Sequence, residues 1–478
     1  MATRDFSKYF LYRWRYVIGY SLVGLLLAGM LLFAGLYLPG GLSEAEMTSV
    51  VRSAQIAFSD PSSLVLPNLP YYLFQAGVFS QFGVSVFTIK LPSLILALVS
   101  AVGVILLLRR WFRPNIAVLA SLIAITTGQF IYLAQSGTPS ILYIFWPVLL
   151  LLLGTQITRG KKFRYLWKIL FAIAVGLSLY TPLSIYPLIA IALAVVLHPH
   201  LRNVVRRLSK PRLAIVTLIF AAVIAPLVWL IITKPQLGIT LLVGVLPSWP
   251  PDIAANSLSL LKQYFLYWEP STTEVMAPVF GLGSSLLILL GFYRLFRTRD
   301  TTRSYLIIFW IICLLPVLLL NPNFTSVTFI PSLLMLAAGL TSLISYWYRL
   351  FPFNPYARIV GLIPIVTLVG ALIITGVTRY TYGYHYSPVV APLFSNDLRL
   401  LPASAGEIIV GDDEKKFYEA VAKYRPGLMV VTSPSENSFI VTREARQEQD
   451  FSSYTITDVI TNPKAHESDR YYVMTRGE

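Results

Sequence analysis

Charge is scarce in this chain: Asp, Glu, Lys and Arg make up 13% of its 478 residues, about half the share usual in soluble domains. With 56% of the residues hydrophobic, that shortage excludes a soluble enzyme. Cysteine is almost missing. Cys313 is the single one, so neither an internal disulfide nor a Cys-based metal site can form. Carboxylates are thin where they would matter to a transporter. Only eight of the 22 acids precede residue 386, and none lies within an apolar run. Ion-coupled transporters normally keep a carboxylate near the bilayer midplane, often with inverted repeats. Neither signature is present. His198-Pro199-His200 has a spacing that suits a metal, but no carboxylate lies nearby and zinc would need further ligands. No metal and no cofactor is expected.

What the chain does have is a series of apolar runs of the length a bilayer core demands. They lie near 17–38, 87–108, 115–134, 140–157, 165–180, 182–197, 213–233, 276–296, 304–320, 327–348 and 357–378, which predicts an all-α polytopic bundle of about 11 transmembrane helices. The net charge of +16 then has a membrane explanation and does not call for nucleic acid. With the N-terminus cytoplasmic, the inside loops carry 23 basic residues and the outside loops five: Arg52, Lys90, Lys234, Lys262 and Arg379. That bias orients every hairpin the same way. The expected location is the cell (plasma/inner) membrane, with the C-terminus extracytoplasmic.

Composition changes after about residue 386, where acids outnumber bases by fourteen to ten. The expected organisation is a membrane domain over 1–385 and a small extracytoplasmic α/β domain over 386–478. Strand-like EIIVG, LMVV, SFIVT, YTITDVI and RYYVMT surround a helical stretch from Asp413 to Tyr424.

Six of the eight membrane-domain acids fall in the first and fourth outside loops: Glu44, Glu46, Asp60, Asp252, Glu269 and Glu274. In the first loop, Met47, Val50, Val51, Ala54 and Phe58 recur at helical spacing, so a surface-lying amphipathic helix is expected. Ser43 and Glu46 read as its capping box. A second interfacial helix follows in PNLPYYLFQAGVFSQFG, which places both within about residues 43–82. In the fourth loop, Trp249, Trp268, Tyr264, Phe265 and Tyr267 fit an interfacial aromatic belt, and a sugar-stacking role is the alternative.

The order of these parts resembles the polytopic glycosyltransferases of the GT-C superfamily, such as the aminoarabinose transferases of lipid A and the protein O-mannosyltransferases. The resemblance rests on Ser43-Glu44 opening the first surface helix, LPYYLFQAGVFSQFG, Lys90-Leu91-Pro92-Ser93 at the second span, RRWFRPNIAVLASLIAITTGQFIYLAQSGTPSILYIFW, GLSLYTPLSIYPLI and VTFIPSLLMLAAGL, in that order. It runs over roughly residues 17 to 378. It implies transfer of a sugar from a polyprenyl-phosphate-linked donor to an envelope glycan, lipid or protein acceptor.

The departures are as informative. The family's catalytic Asp falls on Ser43, its second acid on about Ser140, and an Arg often found before the tenth span has no counterpart near Thr325-Ser326. An acceptor hydroxyl needs a carboxylate base and a leaving phosphate needs a cation. Glu44 is the expected base, with Glu46, Asp60 and Glu269 as further substrate-binding candidates, and Lys90, at the basic position of the family's second-span motif, is the expected phosphate contact. The alternative is a catalytically inactive GT-C-like protein that binds polyprenyl lipid or serves as an envelope scaffold.

Overall fold

The computed structural model describes residues 41–476 apart from 58, 160–162, 207–209, 246–249, 268–275, 277, 300, 351–355, 357–359, 361, 385–386, 388–389, 391–393, 397, 403–404, 434–437 and 462–469, and only scattered positions before 41. The first expected span therefore lies largely outside the described residues, as do Glu269, Glu274, Trp249 and Trp268.

The segment expected as the first outside loop folds into β1 (Leu42–Ser43), α1 (Glu44–Ala54) and α2 (Leu69–Phe82). The membrane helices follow: α3 (Val86–Trp111), α4 (Pro114–Ile125), α5 (Gly128–Gln135), α6 (Leu142–Arg159), α7 (Arg164–Ser178), α8 (Ile185–Leu197), the short α9 (Pro199–Arg206), α10 (Lys210–Thr233), α11 (Pro235–Val243), α12 (Ile253–Phe265), α13 (Leu282–Arg297), α14 (Thr302–Leu320), α15 (Phe329–Leu350) and α16 (Leu362–Thr378). Among the described residues, six helical stretches are long and apolar enough to cross a bilayer, or seven if the bent α4–α5 pair is one span. The protein is thus a multi-pass membrane protein. The runs expected at 165–180, 182–197 and 276–296 form the shorter α7, α8 and α13.

The run at 115–134, expected as one span, bends by 57° between α4 and α5. The cause is local. Thr126 and Thr127 turn their hydroxyls back to the carbonyls of Leu122 and Ala124, and the Thr127 hydroxyl accepts the N–H of Phe130 as a new N-cap.

Burial separates centre from rim. Within the stretch Pro322–Leu350, 72% of the apolar window is buried, against 11% for Leu213–Thr233, so α15 is central and α10 peripheral among the described helices. At the centre, α13 and α15 cross with their backbones in contact. A Cβ at Gly291 would lie 1.7 Å from the Met335 carbonyl oxygen, and one at Gly339 would lie 2.0 Å from that of Leu287. Only glycine permits this approach.

The C-terminal segment adds β2 (Phe394–Asn396), β3 (Glu407–Ile409), α17 (Lys415–Lys423), β4 (Met429–Val430), β5 (Ser438–Thr442), β6 (Tyr454–Thr461) and β7 (Arg470–Arg476). The last five strands form a mixed sheet in the order β4-β3-β5-β7-β6, with β3 parallel to both β4 and β5. This sheet unit is docked on α1 and β1. Phe417, Tyr418 and Val421 of α17 share one apolar core with Leu42, Val50 and Ala54, and β2 pairs with β1.

Candidate active site

Helix α1 is held from three sides. At its start, the Ser43 hydroxyl accepts the Glu46 N–H at 3.4 Å while Glu46 Oε2 accepts the Ser43 N–H at 3.0 Å, the reciprocal cap that the sequence predicts. Along its inner side, the hydroxyls of Ser49 and Ser53 donate to Gln75 Oε1 at 2.9 and 2.6 Å. The Gln75 amide in turn donates to the carbonyls of Ile89 and Gly137, tying α1 and α2 to the head of α3 and to the turn after α5. At its far end, Lys423 Nζ donates to the Ala54 carbonyl.

Glu46 is 2% exposed and fully engaged. Besides closing the cap, its Oε1 accepts the Gly137 N–H at 2.8 Å and lies 3.6 Å from Lys90 Nζ. Gly137 must be bare for this approach, because a Cβ there would lie 2.6 Å from Ile89 Cγ2. The pair sits in a narrow hollow of about 30 Å³ with Ser43, Gln135, Tyr380 and Tyr384. Lys90, expected to meet a phosphate, is thus paired with Glu46, the only ion pair among the described residues.

The other face of α1 looks into a much larger space. An open cavity of about 570 Å³ is lined by Glu44, Thr48 and Arg52 of α1, with Asn68, Tyr72, Tyr132, Ser140, Tyr143, Asn323 and Phe324 among its walls. The i, i+4, i+8 spacing explains why Glu44, Thr48 and Arg52 share that face, and it separates the two charged residues by roughly 12 Å along the axis. Glu44 is exposed and, among the described residues, is the only carboxylate on the wall, as Arg52 is the only Lys or Arg. Arg52 Nη1 donates to the Tyr72 hydroxyl at 3.2 Å. Burial pushes the Tyr72 hydroxyl above the ordinary phenol range, so it stays protonated at neutral pH.

Every wall segment lies in or beside a loop that the charge pattern predicts to be outside: the first, the turn 136–140, the loop after α11 and the turn Asn321–Ser326. Asn321 fastens two of them, its amide donating to the carbonyls of Val243 and Val245 at 2.8 and 2.9 Å.

The remaining sequence candidates fall elsewhere. Asp60 is on the surface, where its carboxylate accepts the N–H and hydroxyl of Ser62, and these bonds hold its pKa below the ordinary value. It lines neither hollow. Ser43, at the position of the family's Asp, is a helix cap, while Ser140 lines the large cavity and accepts a bond from the Thr138 hydroxyl at 3.2 Å. Tyr264 points inward to the Thr328 hydroxyl. Arg52 was missed as a site residue. Two signals pointed to it: a basic residue in a loop predicted to lie on the side that basic residues avoid, and its two-turn spacing from Glu44.

The comparisons agree with this architecture. Residues 67–229 match the family described as dolichyl-phosphate-mannose-protein mannosyltransferase, and no curated protein matches the chain in sequence. Among solved structures, the chain is similar to ArnT from Cupriavidus metallidurans in the apo state, at 11% identity and a TM-score of 0.53 over 96% of this chain and 98% of that one. The same enzyme bound to undecaprenyl phosphate matches at 13% identity and a TM-score of 0.52, again over 96% and 98%. The Archaeoglobus fulgidus oligosaccharyltransferase tethered with an acceptor peptide matches at 15% identity and a TM-score of 0.53, over 89% of this chain and 64% of that one. The fold of this chain is thus similar to that of ArnT and of the archaeal oligosaccharyltransferase, and its residues 67–229 match the mannosyltransferase family.

Proposed function

We propose that the protein is a membrane glycosyltransferase that moves a sugar from a polyprenyl-phosphate-linked donor to an acceptor at the outer face of the cell membrane. One observation carries the reading: Glu44 is the single described carboxylate on the wall of a cavity that the outside loops converge to build. A cavity of about 570 Å³ has the size of a small-molecule site. Support comes also from the similar folds, one of them solved with undecaprenyl phosphate and another with an acceptor peptide. In this arrangement the N-terminus is cytoplasmic and the sheet unit of 386–478 is extracytoplasmic, seated on the membrane domain of 1–385.

Glu44 acts as the base. It takes the proton of the acceptor hydroxyl, whose oxygen bonds to the anomeric carbon, while the bond from that carbon to the phosphate oxygen breaks and its electron pair leaves with the lipid phosphate. Arg52 meets the phosphate. Its guanidinium presents several N–H groups to a dianion, and it takes this role because Lys90 is occupied by Glu46. The aromatic walls Tyr72, Tyr143 and Phe324 suit the apolar faces of a sugar ring.

The test is turnover of polyprenyl-phosphate sugars by the wild type and by Glu44→Gln. Removing a general base costs about 10²–10⁴-fold in rate, so Glu44→Gln should fall by that order while still binding the donor. Undiminished turnover removes Glu44 from the mechanism. A second reading, a lipid-binding scaffold, is favoured by the serines Ser43 and Ser140 at the family's acid positions. It predicts donor-lipid binding with no transfer across a broad panel of sugars, and one productive donor ends it.

A further inference from the structure

At the opposite end of the bundle lies a second hollow that the proposed reaction does not use. It is about 40 Å³ and is lined by Phe112, Arg294, Thr298, Thr301, Arg303 and Thr341, with three aliphatic side chains between them. Helix α14 begins beside this hollow and ends at the large cavity, so the two are separated by roughly 28 Å, the rise of 19 residues. The walls come from the end of α3, the end of α13, the start of α14 and the middle of α15.

Its donors have no acceptors to match. Arg294 makes no side-chain hydrogen bond or ion pair among the described residues, and Arg303 donates once, from Nη1 to the Trp111 carbonyl at 2.8 Å. The Arg303 guanidinium is also held 4.9 Å over the ring of Phe112, which fixes its plane. The three threonine hydroxyls are spent locally: Thr298 donates to the Arg294 carbonyl, Thr341 to that of Ala337, and Thr301 bonds with Ser304. The positive charge is reinforced, because Arg159 and Arg294 bear on Arg303, and Arg349 bears on Arg294. No described carboxylate lines the hollow, and Asp300 lies outside the described residues.

We propose that this hollow binds a phosphate group, carried by the headgroup of an anionic phospholipid or as a free anion, between the guanidinium groups of Arg294 and Arg303. Two half-buried guanidinium groups, of whose N–H groups the structure uses one, demand an anion with several acceptor oxygens. A water needs about 10–15 Å³ of such space, so a hollow of about 40 Å³ takes one tetrahedral anion and leaves lipid tails outside against the bundle. Basic pockets between membrane helices hold lipid headgroups in this way. The positive-inside bias explains why arginines are at this end. It does not explain why two of them, from different helices, line one hollow.

The experiment counts bound lipid by native mass spectrometry on the full-length protein, exchanged into detergent with phosphatidylglycerol or phosphatidylcholine. Three proteins are compared: the wild type, Arg294→Gln, which breaks no described bond, and Arg297→Gln, an exposed arginine one turn further on the same helix. The wild type and Arg297→Gln should each retain one phosphatidylglycerol that Arg294→Gln loses, and phosphatidylcholine should not replace it. Equal retention by all three, or equal retention of both lipids, overturns the proposal. Inorganic phosphate separates the two sources. If it displaces the retained lipid at millimolar concentration, the site reads the phosphate alone; if the lipid stays, the headgroup and its leaflet supply the ligand.

Discussion

Two carboxylates stand two residues apart on α1, and the structure treats them in opposite ways. Glu46 is buried in a hollow too small for a substrate, where it meets Lys90, the N–H of Gly137 and its own helix cap. Glu44 is exposed to a cavity nearly twenty times larger and has no ion-pair partner there among the described residues. The small hollow spends its charges on holding α1 against α3 and the turn after α5. The large cavity keeps its carboxylate and its guanidinium apart, available to something that enters. Buried ionic groups are retained when paired and hydrogen-bonded, whereas an unpaired carboxylate facing a cleft can reach the proton of a bound hydroxyl.

The sharpest test of that division is to remove one charge at a time. Glu44→Gln should lose turnover by the 10²–10⁴-fold already stated yet shift stability by no more than about 0.5 kcal/mol, the range of a surface substitution. Glu46→Gln should do the reverse. It leaves the Lys90 ammonium, whose side chain is 13% exposed, without its counter-charge, and breaking a buried pair from one side costs about 3–5 kcal/mol. Thermal unfolding in detergent, followed by tryptophan fluorescence, reads the difference. Replacing both partners, Glu46→Gln with Lys90→Met, should recover part of the loss. If Glu46→Gln instead keeps its stability and loses turnover, the small hollow is the reaction site and the comparison collapses.

The next largest effect concerns the cation. Arg52→Gln should weaken the productive encounter with donor, because hydrogen bonds to charged groups contribute about 1.5–3 kcal/mol. The fall in kcat/KM should therefore be roughly 10- to 150-fold, carried mainly by KM if the phosphate is held equally before and during transfer. Arg52→Lys should recover part of it, since a lysine keeps the charge and loses the planar fork. An unchanged KM for donor would return the phosphate role to Lys90.

Much of this was legible in the residues, and the parts that were not share a physical reason. Apolar runs of bilayer length and the basic loops gave the bundle, and the cap at Ser43 and Glu46 is a short-range pattern that survives intact. Each strand segment expected after residue 386 forms a strand, although the mixed order β4-β3-β5-β7-β6 is a matter of long-range pairing. What local pattern could not show is convergence. Lys90 reaches Glu46 across 44 positions of sequence and Gly137 reaches it across 91, so the two were read as separate candidates when they are partners. The bend after Thr126 was readable from Thr126-Thr127-Gly128, because a threonine cap before a glycine is a start signal. An uninterrupted hydropathy run concealed it.

The smallest effect should come from the contact that ties the sheet unit to the site. Lys423 lies at the end of α17 and donates to the carbonyl of Ala54, the last residue of α1. A cation at a helix C-terminus contributes about 0.3–1 kcal/mol when exposed, and salt screens it. Lys423→Met should therefore lower the melting temperature only slightly, with the difference fading as salt rises. Its value as a test lies in where the disturbance goes. Arg52 is two residues from Ala54, whereas Glu44 is at the far end of the same helix under its own cap. Loosening the C-terminal turn should then raise KM for donor more than it lowers kcat. A double-mutant cycle of Lys423→Met with Arg52→Gln measures the coupling, and additivity within about 0.3–0.5 kcal/mol would mean that the sheet unit merely covers α1 and does not position its cation.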